Sequence, residues 1–319
     1  MLHRLWKPWF VYRPTQLLRR IRCDLRQWVP GYRPLPVAWG LDVIADPTKK
    51  IGRCICTTGI YDLAVSEAIA RLARPGETVI DAGANVGYMT LLARVVAGPQ
   101  GRVIAFEPHP ELYRVALDNV ASSERRSAAA PVEMHNLALA ERTGTAELAV
   151  PEEFDRNDGI ARLYWRNSGD SRAIPVGVAT IDSIVGSEPV DLLKLDVEGH
   201  ELSVLQGARN ALASRRIRHI VFENHQGSDS ETVRYLAASG YAIFALGWST
   251  RGLKLAPIDG GALATHYEAP SCLATLAPED ALARCRERGW RVLSRRLVRS
   301  CTDSSRFEAG PTPAIASQT

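Results

Sequence analysis

The sequence holds little that would staple a chain from outside. Its 319 residues include six cysteines, Cys23, Cys54, Cys56, Cys272, Cys285 and Cys301, and no C-x-x-C pair. A disulfide framework or thiolate zinc site is therefore not expected, and a reducing, cytoplasmic setting fits. Cys54 and Cys56 would point to opposite faces if their stretch is a strand. No run approaches the roughly 18 apolar residues needed to span a bilayer. The apolar N-terminal stretch "LWKPWFVYRP" is broken by Lys7, Pro8, Arg13 and Pro14, so it does not read as a signal peptide. There is no internal repeat, which excludes a solenoid or propeller. A formal net charge of +4 is too modest to predict nucleic-acid binding.

The chain has enough apolar residues for a sizeable core, at 46% hydrophobic and 23% charged. Charge is uneven along it. Met1 to Arg33 carries eight Lys/Arg against one acid, Asp24, and "RCRERGWRVLSRRLVR" at 284–299 is also basic. Either end could touch an anionic surface or be a solvated helix face. In "QLLRRIRCDLRQWV", Leu17, Leu18, Ile21, Leu25 and Trp28 recur at helical spacing and, with Trp6, Trp9 and Phe10, suggest a peripheral membrane contact. The expected organisation is a basic, irregular extension at 1–50, a catalytic domain at 51–276, a basic helix at 277–301 and a disordered tail at 302–319.

From residue 62 onward helices and strands alternate. "YDLAVSEAIARLAR" reads as a helix, with Leu63, Ile69 and Leu72 inward and a stop at Pro75-Gly76. "ETVIDAG", "RVIAFEP" and "PVEMHNLAL" read as strands, with "NVGYMTLLARVVAG" and "PELYRVALDNVAS" as the helices between them. "VATIDSIVG" reads as a short helix, "VDLLKLD" and "IRHIVFEN" as the fourth and fifth strands, and "ELSVLQGARNALAS" as one helix. "ETVRYLAASG" reads as a further helix, and "YAIFAL" and "SCLATLA" close the pattern as strands. This alternation predicts an α/β three-layer sandwich, a mostly parallel sheet with helices on both faces. The polar stretch at 152–173 reads as a long loop of the kind that contacts ligands, with Phe154, Arg156, Arg162, Tyr164, Trp165 and Arg166 as candidates for acceptor contact.

"VIDAGANVGYMTLLA" ends a strand and opens a helix whose first N–H groups are unpaired. A dinucleotide fingerprint would need glycine at the position of Asn85, so that the backbone could approach a pyrophosphate. Asp81 and Glu107, 26 positions apart at two strand ends, flank a turn containing Gly83 and Gly87. Such a turn suits a nucleoside ligand without a pyrophosphate, with Glu107 placed for ribose hydroxyls; S-adenosylmethionine is one. "DLLKLDVEGHEL" concentrates Lys194, Asp196, Glu198, His200 and Glu201 at the next strand end, and Glu223, Asn224 and His225 end the one after. Strand ends of open α/β sheets are where catalytic groups collect. Asp196 or Glu198 is the expected proton acceptor, directly or through a divalent cation, with His225 as the alternative and Lys194 as a pairing cation. Glu198 and His200 could instead cap the following helix, and His109, His219 and His266 read as surface or structural residues. No dedicated ligand spacing assigns a metal.

The blocks "ETVIDAGANVGYMTLLARVV", "GRVIAFEPHPELYRVALDNV", "HNLALAERTGTAEL", "VATIDSI", "DLLKLDVEGHELSVLQGA" and "IVFEN" together resemble the FkbM family of S-adenosylmethionine-dependent methyltransferases, over residues 59–226. The resemblance implies a class I methyltransferase fold, a seven-stranded sheet with the last strand antiparallel, and O-methylation of a sugar, glycolipid or natural-product hydroxyl. It implies that Asp81, Gly83, Asn85 and Gly87 line the methionine end of the cofactor and that Glu107 binds ribose. Asn136 and Leu137 would border adenine, and Gly59 and Tyr61 in "TGIYD" would cover the cofactor. Three alternatives stand beside this: an NAD-type oxidoreductase, a binding protein without turnover, and a methyltransferase acting on nitrogen or RNA. "DVEG" stands where amino methyltransferases carry an N-P-P-Y-type tetrad.

Overall fold

The structure is a computed structural model that describes residues 7–124, 129–151, 154, 161–165, 172–258, 270–294 and 297–298. The central strands are β3 (Thr78–Ala82), β4 (Arg102–Phe106), β5 (Val132–His135), β10 (Val190–Leu195) and β11 (Ile217–Glu223). All neighbours among them pair in parallel. They read as continuous apolar runs because helices cover both faces of a parallel sheet. Successive residues serve opposite faces: Val79, Val103, Leu192 and Val221 join one apolar cluster, while Ile80, Ile104, Leu193 and Ile220 join the other.

The sheet continues through β14 (Ser271–Thr275), β12 (Ala242–Ser249) and β13 (Gly252–Pro257), giving the order β13-β12-β14-β11-β10-β3-β4-β5. β14 runs antiparallel to both β11 and β12, as the resemblance implies for the last strand. The sheet has eight strands rather than seven, because β13 adds an antiparallel edge to β12. This is the three-layer α/β sandwich that the resemblance implies, with one strand more. Helix α4 (Leu63–Leu72) and the wholly buried α5 (Tyr88–Ala97) follow the expected pattern, and α6 (Pro110–Glu124) precedes β5.

Several elements depart from the sequence reading. "PVEMHNLAL" divides at Asn136 into β5 and β6 (Leu137–Leu139), which belong to different sheets. β6 joins a four-stranded sheet with β7 (Gly144–Ala149), β8 (Arg162–Tyr164) and β9 (Ile174–Ala179), in the order β6-β9-β7-β8. "VATIDSIVG" is therefore the end of β9 followed by α7 (Ile181–Val185), which starts at a Thr180–Ser183 capping box. "ELSVLQGARNALAS" breaks into α8 (Glu201–Gln206) and α9 (Arg209–Ala213). The break follows from Gly207, where a Cβ would lie 2.0 Å from the Ala140 carbonyl oxygen. The helix passes so close to its neighbour that only glycine fits.

Both basic ends are folded against the body. Residues before 50 form α1 (Pro8–Val11), α2 (Thr15–Leu25) and the hairpin β1 (Arg33–Pro36)–β2 (Asp42–Ala45). Cys54 and Cys56 lie on α3 (Lys50–Thr58), a helix rather than a strand. Trp9, Phe10 and Trp39 join the same apolar cluster as Leu91, so Trp9 and Phe10 do not face outward; Trp6 lies outside the described residues. Arg19 donates to the Ile55 and Cys56 carbonyls at 2.8 Å, tying α2 to the last turn of α3. The C-terminal arginines do the same for α4: Arg284 donates to Arg71 O (2.7 Å) and Arg291 to Ala70 O (3.1 Å). "ETVRYLAASG" forms α10 (Glu231–Ala238), and the described part of the stretch read as a helix from 277 to 301 contains α11 (Pro278–Cys285), after which 286–294 is not helical. Buried Glu67 and Arg71, 2.6 Å apart, tie the segment down: Arg71 donates to Arg284 O and Gly289 O, and Glu67 accepts from the Arg291 and Val292 N–H groups. Among the described residues no helix is long and apolar enough to cross a membrane.

Candidate functional site

Two cavities meet at the carboxyl ends of β3, β4, β10 and β11. Glu107, at the end of β4, defines the first. Its two carboxylate oxygens accept from Asn85 N–H and His109 N–H, each at 2.8 Å. Burial pushes this carboxyl up to about 7 despite those two bonds. Around it the lining is mostly apolar, with Phe106, Leu137, Leu139 and Leu163 beside Gly83, Asn85 and Tyr61. The turn that presents Asn85 holds it at φ +53°, with its Oδ1 accepting from Val86 N–H at 2.7 Å.

Three residues expected to line this cavity support it instead. Asp81 is 1% exposed and accepts from Thr90 Oγ1 at 2.6 Å. Its other oxygen lies 3.0 Å from Lys194 Nζ, so both oxygens face the interior. Gly87 caps α5 at φ +83°, where a Cβ would press on Ala116. Asn136 lies outside the lining and donates to the Glu107 and Pro108 carbonyls, fixing the backbone that carries the carboxylate. Gly83 does line the cavity, and it is also a packing glycine: a Cβ there would lie 1.9 Å from Asp196 O. Two strand ends thus approach each other through the absence of one methyl group.

The second cavity, of about 350 Å³, shares Tyr61, Met89, Lys194, Asp196 and Glu198 with the first. Asp196, Glu198 and Glu223 each offer a carboxylate oxygen, and these lie within 4.8 Å of one another. Burial, then Asp196 and Glu223, push the Glu198 carboxyl up to about 7. Burial and Asp196 also raise Glu223. Glu198 sits at φ +53°, unusual for a residue with a side chain. Glu201 braces the turn, accepting from Gly199 N–H at 3.2 Å. Asp62, Asn85 and Glu198, three non-glycine residues at positive φ, all line these cavities; such strain concentrates where a fold holds functional geometry.

Lys194 is the hinge of the charge pattern. It donates to Gly83 O at 2.7 Å, pairs with Asp81, and lies 3.8 Å from Asp196 Oδ2. Burial alone would lower its pKa, but Asp81 and Asp196 outweigh burial and hold it above the ordinary value. Lys194 therefore stays a cation and cannot take a proton. His225 is exposed, lines neither cavity, and reaches the acids only through Glu223 at 2.9 Å.

Sequence reasoning missed other lining residues. His109 is buried, lines the first cavity and stacks on Phe154 with centroids 4.6 Å apart. Burial lowers its pKa, and its Nδ1 has no partner among the described residues. His200 also lines this cavity and makes no side-chain cap on α8. His219 is structural as expected, bonded to Thr275 at 2.8 Å, with burial lowering it to about 4. The described parts of 152–173 line the first cavity through Phe154, Ala161 and Leu163, not the second. Arg162 and Tyr164 are exposed, and Trp165 stacks under Arg142 at 4.2 Å. Arg156, Arg166 and His266 lie outside the described residues. The second cavity instead takes Lys7, Trp9, Arg20 and Lys50 from the N-terminal segment. Their distance in sequence from the strand ends left no local signal to find them by.

Comparison with known proteins places this geometry. Residues 81–243 match the methyltransferase FkbM domain. The chain is 28% identical over 202 residues to the 31-O-demethyl-FK506 methyltransferase FkbM of Streptomyces tacrolimicus, covering 54% of this chain and 75% of that protein. It is 28% identical over 189 residues to the hexuronic acid methyltransferase AglP of Haloferax volcanii, covering 56% and 70%. It is 30% identical over 157 residues to methyltransferase sdnD of Sordaria araneosa, covering 40% and 59%. The match thus spans less than two thirds of sdnD, as it does of methyltransferase 1 of Beauveria bassiana, at 57%. Among solved structures, the methyltransferase FkbM of Methylobacillus flagellatus aligns at 17% identity and a TM-score of 0.42, over 69% of this chain and 52% of that one. The family match runs from the end of β3 to the start of β12 and takes in Asp196 and Glu198, the acids shared by the two cavities, and the chain belongs to the methyltransferase FkbM domain family.

Proposed function

We propose that this chain transfers a methyl group from S-adenosylmethionine to a hydroxyl of a sugar, glycolipid or natural-product intermediate. One observation carries the reading. A cavity built around a backbone-anchored carboxylate, Glu107, adjoins a second, and the two share Tyr61, Asp196 and Glu198. The residues fit the cofactor: Glu107 keeps lone pairs for two hydroxyls, the apolar walls suit a purine face, and His109 buries a nitrogen with no partner among the described residues. S-adenosylmethionine, when bound, supplies an electrophilic methyl group. The chain's task is to hold the acceptor oxygen in line and take its proton. Glu198, held near neutrality, is suited to accept it, and cationic Lys194 fixes the turn beneath it.

The names of two relatives, a hexuronic acid methyltransferase and a 31-O-demethyl-FK506 methyltransferase, support hydroxyl-bearing acceptors. Asn85 in place of the dinucleotide glycine speaks against an NAD enzyme, and "DVEG" against a nitrogen acceptor. The acid trio also supports a divalent-cation version of the same chemistry. The test is transfer of labelled methyl across a panel of glycans, glycolipid precursors and secondary metabolites. D196N and E198Q are assayed beside the wild type, with and without chelator. Full turnover in both variants sinks the acid assignment; loss with chelator and return with Mg²⁺ assigns the cation. Five described cysteines are free thiols, which fits a cytoplasmic setting. Exposed Leu18, Ile21 and Leu25 on α2 beside Arg22 support a peripheral membrane contact, which a vesicle sedimentation assay with anionic lipid would reveal.

A further inference from the structure

The second cavity has two unlike walls. One is the carboxyl end of the sheet, with Asp196, Glu198 and Glu223. The other comes from the N-terminal segment: Lys7 ahead of α1, Arg20 on α2 and Lys50 at the start of α3. These cations have set positions. Lys7 Nζ lies 5.1 Å from the centroid of the Trp9 ring and 5.9 Å from that of Trp248. Arg20 lies 6.0 Å from the Phe10 ring, with its Nε 3.5 Å from Asp24. The charge of Lys50 reaches across to Glu198. Trp9, in the same wall, buries an indole N–H that has no acceptor among the described residues. Three cations and an orphaned donor on one side ask for an acceptor-rich, negatively charged group. The acids on the other side ask for a hydroxyl proton.

We infer that the N-terminal segment forms the acceptor-binding wall, and that the acceptor is a hydroxylated molecule carrying a carboxylate or phosphate, held by Lys7, Arg20, Lys50 and the Trp9 indole N–H while its hydroxyl faces the acids. This rests on the methyl-transfer reading. It also gives a task to basic residues that lie far from the strand ends in sequence yet line the same cavity.

The test is a binding titration of the full chain, loaded with S-adenosylhomocysteine, by calorimetry and saturation-transfer NMR. The probes are glucuronate, glucose 6-phosphate and neutral methyl glucoside. The expected result is tighter binding of one or both anions than of methyl glucoside, and which anion binds tells carboxylate from phosphate. R20E and K50E should each weaken anion binding about tenfold, the usual weight of one charge-assisted contact, while methyl glucoside changes little. R20Q and K50M guard against a folding artefact, and retained S-adenosylmethionine affinity in each variant confirms an intact first cavity. Protein that binds S-adenosylmethionine but shows no anion preference, or a preference untouched by R20E and K50E, overturns the inference. Protein that fails to bind S-adenosylmethionine at all overturns the methyl-transfer reading instead.

Discussion

Lys194→Met tests whether one buried cation holds the site together. Lys194 and Asp81 are 4% and 1% exposed and 3.0 Å apart, and the ammonium also donates to Gly83 O at 2.7 Å. Methionine keeps the length and removes the charge. It leaves Asp81 buried with Thr90 as its remaining partner, and it strips a hydrogen bond from Gly83 O. Breaking a buried pair from one side costs about 3–5 kcal/mol, because the abandoned charge keeps its desolvation penalty. With a urea dependence of about 3 kcal/mol per molar, the unfolding midpoint should fall by about 1–1.7 M. The double variant D81N/K194M removes the stranded charge while keeping the Thr90 contact, and should recover most of that loss. Circular dichroism across a urea series measures K194M, D81N and D81N/K194M beside the wild type, and the cycle isolates the coupling. An unchanged midpoint in K194M, or losses that simply add in the double variant, would refute the assignment of Lys194 as the clamp between β3 and β10.

Three further outcomes follow from the same geometry. If Glu198 takes the proton, kcat/KM should rise with pH through about 7, where its carboxyl ionises, and E198Q should flatten that limb of the profile. Glu107 titrates at about 7 when folded and at an ordinary value near 4.5 when unfolded, so the folded protein holds the extra proton between them. Its contribution is therefore full below about pH 4.5 and lost as pH rises through about 7, so ligand-free stability should fall across that window by about 3 kcal/mol at most, and less in E107Q, as read from urea midpoints at each pH. Gly83→Ala forces a Cβ to within 1.9 Å of Asp196 O at φ +78°, so it should cost more than 3 kcal/mol or abolish S-adenosylmethionine binding by calorimetry; a variant that folds and binds normally would show that the strand ends have slack.

Much of the frame was legible in the residues. Mostly apolar runs such as "VDLLKL" and the alternating helices pointed to a parallel sheet, because a strand covered on both faces is apolar over most of its length. Acids at 107, 196, 198 and 223 sit where such strands end, so their approximate meeting place followed from chain order. The short strands β8 and β13 did not announce themselves: a three-residue strand such as Arg162–Tyr164 has no periodicity of its own and exists through its partner, β7. Gly207 broke a helix whose local propensity favoured continuity, because the Ala140 carbonyl lies against it.

What sequence alone determined, then, is the sheet, its helices and the acids at its carboxyl edge, since these depend on local pattern and the order of crossovers. What sets these acids apart from one another arises only in three dimensions. Glu198 owes its raised pKa to burial beside Asp196 and Glu223, and Asp81 owes its supporting place to Lys194, none of which spacing encodes. The same holds for Lys7, Arg20 and Lys50: in the sequence they belong to a basic stretch with no evident task, and long-range packing folds them over the second cavity, opposite the acids.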